Sequence, residues 1–335
     1  MRILDIFNKP GYSCSLLNTN LQFTPRDTLE ACCCADIGPV LADKISQKDS
    51  IKEFIKTREK FVKQLKSGNL ENGVQGCKNC INLQKYSPNN DYRIKRIAIN
   101  HYTSCDCACV YCIHGINRSF KSIRQSADDA YDILKFINEL YDNELIDKKN
   151  LIVDFQGGNI SCLKNHNEII DAFYKRGVKD FVLYTNNIVY IPAMERLLRQ
   201  DKGSLVVSID SGTPETFYQI KQTDKFDMVI NNLKRYIAAA GNRHITAKYI
   251  IINKLNDNIE ELKAFLNLML EANVKLFVLD IDYRNIIDEN FTIPKHYYEL
   301  IDYAENFCRK QRRMFSIWSY TKEVLKRGYS IAKNR

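Results

Sequence analysis

From about residue 94 onward, apolar runs of strand length alternate with amphipathic helical patterns, and this rhythm constrains the fold more than any other feature of the chain. "RIAINHY" (96–102) precedes "SADDAYDILKFINELYDN", "LIVDF" (151–155) precedes "NHNEIIDAFYKRG", and "DFVLYT" (180–185) precedes "IPAMERLLRQ". "SLVVSID" (204–210) precedes "FDMVINNLKRYIAAAG", "HITAKYIII" precedes "NIEELKAFLNLMLEANV", and "LFVLDID" (276–282) precedes "PKHYYELIDYAENFCRKQRRM". In the fourth helical segment Val229, Ile230, Leu233, Tyr236 and Ile237 lie on one stripe at the helical period. Parallel strands need a crossover each time, so the repetition implies a parallel sheet with helices outside it. Six repeats are two short of a closed (β/α)8 barrel. The pattern predicts an α/β fold, an open (β/α)6 partial TIM barrel over residues 94–310.

Residues 1–93 do not share the rhythm. "LLNTNLQFTPRDTLEACCC" predicts two short strands around a Pro-Arg-Asp turn, and "SIKEFIKTREKFVKQLKSG" a helix ending at a glycine. With "CKNC" after them, they predict a small, separate, cysteine-rich α+β module over 1–90, joined by the turn-rich "SPNNDY". At the other end, the stretch from Arg309 holds nine Lys and Arg against Glu323 alone, and much of the net charge of +9 sits there. Met314, Phe315, Ile317, Trp318, Tyr320, Val324 and Leu325 are interspersed. Residues 311–335 therefore read as a basic amphipathic C-terminal helix that packs its apolar stripe on the barrel. Contact with an anionic membrane surface is the less favoured alternative. No aromatic-interleaved basic groove or base-reading module points to nucleic acid. No apolar run approaches the ~20 residues of a membrane helix, and the N-terminus has no signal-like apolar segment. A cytoplasmic location is the expectation.

Ten of the twelve cysteines precede residue 113. In a reducing compartment such clustering points to metal or cluster binding rather than disulfides. Cys105, Cys109 and Cys112 form C-x3-C-x2-C directly after the first barrel strand, with Cys107 between them. Barrel sites form where loops leave the carboxyl ends of strands. Three thiolates suit an iron–sulfur cluster and leave one iron of a four-iron cluster open. Structural zinc, with Cys107 as fourth ligand, is the competing reading, although the Cys105–Cys107–Cys109 alternation matches zinc's paired spacing poorly.

With Tyr111 just before Cys112, this motif resembles that of the radical S-adenosylmethionine (SAM) superfamily. Other signals fall in register on successive strands: "QGGN" (156–159), "TNN" (185–187), "VSIDSGTPETF" after the fourth strand and "NKLND" (253–257) after the fifth. The resemblance covers about residues 94–290. It implies a [4Fe–4S] cluster on Cys105, Cys109 and Cys112 whose open iron binds SAM. It also implies reductive cleavage to a 5′-deoxyadenosyl radical that abstracts hydrogen from a substrate. Tyr111, Gly157, Gly158, Asn159, Thr185, Asn186, Ser208, Asp210 and Lys248 become candidate cofactor-binding residues. Gly157 and Gly158 would let a ligand approach the backbone. The third position of this loop is often acidic in the family, but here it is Asn159. Ser208 and Asp210 alternate and are expected to share one face of their strand. Asp280, Asp282 and Arg284 read equally as substrate ligands or as an ion pair, and His101 and His114 flank the cluster loop.

Cys14, the run Cys32–Cys33–Cys34, and Cys77-x2-Cys80 resemble a SPASM/twitch-type auxiliary cluster module, placed before the barrel rather than after it. Four of these thiols would hold a second [4Fe–4S] cluster, with zinc as the alternative. The resemblance implies an oxidoreductase or maturase-type enzyme acting on a peptide or sugar by oxidation, crosslinking or epimerisation, with a reductant such as flavodoxin or ferredoxin. The reading from another class is a non-catalytic zinc or iron–sulfur protein that binds a partner.

Overall fold

The computed structural model describes residues 11–32, 39–46, 50–78, 80, 82–85, 92–112, 131–282, 284–285 and 291–318. These fall into two compact units, one drawn from 11–103, 131–158 and 163–181, the other from 104–112, 159–162 and 182–318.

The first unit opens with β1 (Tyr12–Cys14), the short helix α1 (Ser15–Thr19), β2 (Asn20–Phe23), β3 (Thr28–Glu30) and β4 (Val40–Asp43). The expected hairpin is present. β2 and β3 pair antiparallel around Pro25–Asp27, with Asp27 at φ 58 in the left-handed region that Asp tolerates. The long helix α2 (Ser50–Lys66) follows and gives way to Gly68 at φ 73. β5 (Leu83–Lys85) pairs antiparallel with β1. β6 (Arg96–Ile99), α3 (Leu134–Asp142), β7 (Ile152–Phe155) and α4 (His166–Tyr174) begin the barrel rhythm. Phe23 of β2, Phe54 of α2 and Phe136 of α3 meet edge to face at 5.9 and 6.0 Å and knit these elements together.

One expectation needs correcting here. The N-terminal segment is not a separate module divided from the barrel near residue 90. β2 pairs parallel with β6, Asn20 opposite Arg96 through Phe23 opposite Ile99, so the hairpin extends the barrel's own sheet. Leu21 and Phe23 are fully buried, which a free-standing hairpin of this size could not achieve.

The second unit continues with β8 (Asp180–Thr185), α5 (Pro192–Arg199), β9 (Gly203–Ser208), α6 (Pro214–Lys221), α7 (Phe226–Ala240), β10 (Ile245–Ile251), α8 (Ile259–Glu271), β11 (Leu276–Ile281), α9 (Lys295–Lys310) and β12 (Met314–Ile317). Local chemistry sets the helix starts. Pro192 and Pro214 occupy first-turn positions, where a missing N–H costs nothing. Thr213 and Asn258 cap α6 and α8 by accepting from Thr216 N and Glu261 N. β10 is buried at every position, as a central parallel strand must be. Tyr249, Phe265 and Phe277 stack α8 onto β10 and β11. Within this unit β9, β10, β11 and β12 pair parallel in sequence order, and the sheet is not closed into a barrel. Among the described residues no helix is long and apolar enough to cross a membrane.

The C-terminal expectation is also corrected. Met314–Ile317 is a strand, pairing parallel with β11 from Leu276↔Met314 to Leu279↔Ile317. The helix breaks at Arg312, φ 53, and the alternating "MFSI" then caps the open edge of β11. Tyr320, Val324 and Leu325 lie outside the described residues, as do Cys33, Cys34 and His114.

Candidate functional site

The loop after β6 carries Cys105, Cys107, Cys109 and Cys112, and its backbone is fastened along its length. Near its start, Gly158 N–H donates to Tyr102 O at 3.1 Å. Gly157 stands at φ 95, and a Cβ there would meet Asn100 Oδ1 at 2.4 Å and Tyr102 O at 2.6 Å. Glycine is thus required by the chain's own close approach. Farther on, Asn159 N–H donates to Ser104 O at 2.8 Å. Ala108 N–H reaches Lys221 O at 3.0 Å, Val110 N–H reaches Ile220 O at 2.9 Å, and Cys112 N–H closes a turn on Cys109 O at 3.1 Å.

The thiols on this loop are not equivalent. Cys107 is buried, and its side chain hydrogen-bonds both Cys105 and Cys109. These bonds, with burial, push the Cys107 thiol far up. The same bond to Cys107 pulls Cys105 down against its own burial. It also brings Cys109 down to about 6, helped by the Lys221 charge. A protonated thiol therefore sits between two that ionise readily. Asn186 Nδ2 donates to Cys105 Sγ at 3.6 Å and Cys107 Sγ at 3.3 Å. Among the described residues no three His, Cys, Asp or Glu side chains are gathered around a single-ion site. The donor chemistry, soft thiols on one anchored loop, fits an iron–sulfur cluster.

Tyr111 connects this loop to the end of β9. Its hydroxyl donates to Asp210 Oδ2 at 2.6 Å, and its ring packs on Ile220, Ile250 and Ile252. Lys221 Nζ pairs with Asp210 and donates to the Tyr111 hydroxyl at 2.8 Å. Asp210 and Lys221 are 0% and 1% exposed, so each charge depends on the other. Burial pulls the Lys221 ammonium down, but Asp210 and Cys109 outweigh it and hold the group above its ordinary value. Burial, and then the Asp210 charge, raise the Tyr111 phenol. Asp210 Oδ1 also accepts from Ile250 N at 2.8 Å. The expected sharing of a face by Ser208 and Asp210 does not occur. β9 ends at Ser208, and Asp210 takes φ 62, which breaks the two-residue alternation. Lys221 was not a candidate from sequence. The one available signal was its place on the last turn of a helix that begins within "TPETF".

Asn159, Thr185 and Asn186 form one buried amide–hydroxyl network. Thr185 Oγ1 donates to Asn159 Oδ1 at 2.9 Å, and Asn159 Nδ2 donates to Asn186 Oδ1 at 3.0 Å. Lys248 has two engagements: Asp280 Oδ2 at 3.1 Å and the Trp318 ring at 3.8 Å. Asp282 pairs with Arg284 through Nε at 3.0 and 2.9 Å, the ion-pair reading of "LDIDYR". His101 is fully buried against Tyr102 and Tyr131.

In the first unit, Cys14, Cys32, Cys77 and Cys80 line one small cavity with Leu16, Leu17, Ala31, Pro39, Leu65 and Leu83. The β1–β5 pairing places Cys14 opposite Leu83, and Cys80 N–H donates to Cys77 O at 3.0 Å, so distant cysteines converge. Burial, and then the neighbouring thiols Cys14 and Cys80, push Cys77 up to about 11. None of the ten described cysteines is in a disulfide.

An open parallel β/α sheet with a thiol-bearing loop at the carboxyl end of its first barrel strand defines the class: a partial barrel built to hold a cofactor at that loop. The family described as the radical SAM superfamily matches residues 99–269, half of the chain. This protein belongs to the radical SAM superfamily. That membership supports SAM-cleavage chemistry and implies a [4Fe–4S] cluster and SAM as cofactors. A GTP 3′,8-cyclase of Petrotoga mobilis is 25% identical over 224 residues, covering 67% of this chain and 65% of the relative, so the chain spans less than two thirds of that protein. Streptococcus suis SuiB bound to precursor peptide SuiA superposes with a TM-score of 0.50 at 13% identity, covering 92% of this chain and 73% of that one. AnSMEcpe with bound AdoMet gives 0.50 at 17% identity, covering 66% and 63%. Both likenesses are likenesses of fold.

Proposed function

We propose that this protein cleaves SAM reductively at a [4Fe–4S] cluster on Cys105, Cys109 and Cys112 and acts on a peptide substrate, using a second cluster held by Cys14, Cys32, Cys77 and Cys80. The observation that carries the reading is the pairing of two thiol sets. One is on the anchored loop after β6, and the other is gathered around one cavity from residues up to 66 positions apart. When bound and reduced, the first cluster supplies the electron that splits SAM into methionine and a 5′-deoxyadenosyl radical. A flavodoxin or ferredoxin class reductant would deliver that electron.

The chain's own residues do the positioning. Lys221, Asp210 and Tyr111 hold the cluster loop against β9 and α6. Asn186 donates to Cys105 Sγ, an arrangement that stabilises charge on that sulfur. The Tyr184–Trp318 aromatic pair and the Lys248–Asp280 ion pair would offer an amide-bearing substrate aromatic and polar contacts. Support for a peptide comes from the SuiB fold likeness, since that protein's structure holds a precursor peptide.

Reconstituted protein given dithionite and SAM should release 5′-deoxyadenosine, measured by mass spectrometry. Iron-replete protein that releases none would overturn the function. The similarity to a GTP cyclase favours one second reading, a nucleotide substrate. SAM turnover coupled to GTP loss, in the absence of any peptide, would select it.

A further inference from the structure

β12 pairs with β11 on one side and, among the described residues, with nothing on the other. Met314 N–H donates to Lys275 O at 3.0 Å and Trp318 N–H to Leu279 O at 3.3 Å. Backbone groups alternate sides along a strand, so the even-numbered residues serve β11, and the N–H and C=O of Phe315 and Ile317 point to the open side. Ser316 Oγ reaches Ile317 O at 3.5 Å, too long to occupy that carbonyl. Edge strands are commonly blunted by a charge, a proline or a bulge, and Met314–Ile317 has none of these. Its outward row of backbone groups is a template for another extended chain.

Positive charge heads the same strand. Arg309, Lys310, Arg312 and Arg313 precede it with no acid among them. None of the four is in an ion pair among the described residues. Arg309, Lys310 and Arg312 are exposed. Arg313 Nη2 donates to Asn273 Oδ1 at 3.0 Å, while its buried Nε has no hydrogen-bond partner. Charge selects the occupant. The sequence after Trp318 adds Lys322, Lys326, Arg327, Lys333 and Arg335 against Glu323 alone, so it would bring like charge to like. A second copy, at net charge +9, meets the same repulsion. An acidic chain in extended form matches both the edge and the charge.

We propose that β12 captures an acidic, extended segment of a peptide by strand addition, with the acids of that segment on Arg309, Lys310, Arg312 and Arg313. Met314, Ser316 and Trp318 share one face of β12. Trp318 lies over Lys248, whose strand neighbour Tyr249 packs from the opposite face onto Phe265 of α8. The shared face is therefore the one turned away from the helices, and a chain added beside β12 sends alternate side chains to the side of Lys248 and Asp280. The assignment rests on the peptide reading above and names the segment and the mode of its capture.

The probe is a fluorescein-labelled peptide of Thr-Val repeats flanked on each side by glutamates, titrated into reconstituted full-length protein by fluorescence anisotropy. N-methylation of all its Thr and Val amides removes backbone donors and leaves its charge unchanged, and should weaken binding about tenfold or more. Lys310→Gln with Arg312→Gln, at two exposed positions, should weaken it by a similar factor. Should that variant lose its circular dichroism, a probe with glutamine for glutamate answers the same question on native protein. Equal affinity for the methylated and unmethylated probes assigns the attraction to charge alone and overturns strand addition. Affinity indifferent to the loss of charge, or no binding of the probe, overturns the proposal as well. A dimer in sedimentation equilibrium that the probe does not dissociate makes the edge an interface between copies, and also overturns it. The function is read separately, from product. Release of 5′-deoxyadenosine by protein that ignores the probe leaves SAM cleavage standing without this site. Methylation-sensitive binding by protein that releases none leaves the site standing without that function.

Discussion

The Tyr111 hydroxyl donates to Asp210 Oδ2 at 2.6 Å, joining two residues 99 positions apart: the one before Cys112 and the one just past β9. Lys221 completes the group from the end of α6. The cluster loop is thereby tied to a buried ion pair, and its position depends on that pair remaining intact.

Lys221→Met should leave Asp210 charged and buried without its cation. Removal of one member of such a pair costs about 3–5 kcal/mol. Urea unfolding should show a loss of that order, with a parallel drop in cluster iron. Adding Asp210→Asn removes the stranded charge and should return part of the stability. A single variant as stable as the native protein would show that the pair does not hold the loop.

Asn256, 0% exposed, brackets the same corner. Its Nδ2 donates to Asp210 O and Ile250 O at 2.7 Å each, and its Oδ1 accepts from Ile252 N at 2.6 Å. Asn256→Ala strands three buried backbone groups and should destabilise by about 3 kcal/mol. Asn258→Ala, two residues on, removes only the cap of α8 and should cost about 1 kcal/mol. Thermal unfolding of the two variants side by side checks the order, and the reverse order would refute it.

His101 makes folding sensitive to acid. It is 0% exposed, and both ring nitrogens lack partners among the described residues. Burial lowers its pKa to about 4, against about 6.5 unfolded. The unfolded chain therefore binds the proton first. Stability from the neutral ring is full above about pH 6.5 and declines as pH falls toward 4, by about 3 kcal/mol in total. His101→Phe keeps the edge-to-face contacts and should flatten that limb of a stability-versus-pH curve. A limb equally steep in the variant would assign the acid sensitivity elsewhere.

Among the cysteines, Ala at Cys105, Cys109 or Cys112 should abolish 5′-deoxyadenosine formation. Cys107→Ala should keep the cluster, because the Cys107 thiol hydrogen-bonds its neighbours rather than ionising. Cys77→Ala should lower iron from about eight to about four per chain, as expected if one of two four-iron clusters is lost. Zinc in place of the second set of irons in native protein would replace the auxiliary cluster with a structural metal.

The sequence by itself determined the strand and helix order from β6 to α9 apart from the extra helix α6, the antiparallel hairpin of β2 and β3, and the cysteine loop at a strand end. Each of these is written in local periodicity or spacing, which neighbouring residues set among themselves. Tertiary structure alone decided the rest. It placed β2 beside β6, made Met314–Ile317 after α9 an edge strand, and gathered Cys14, Cys32, Cys77 and Cys80 around one cavity. It also paired Lys221 with Asp210 and turned Asn159 toward Asp106. The physical reason is shared. A four-residue apolar run such as "MFSI" fits a helix or a strand until an open sheet edge selects one. Likewise, a buried charge or thiol acquires its chemistry from partners that only the folded chain brings within reach.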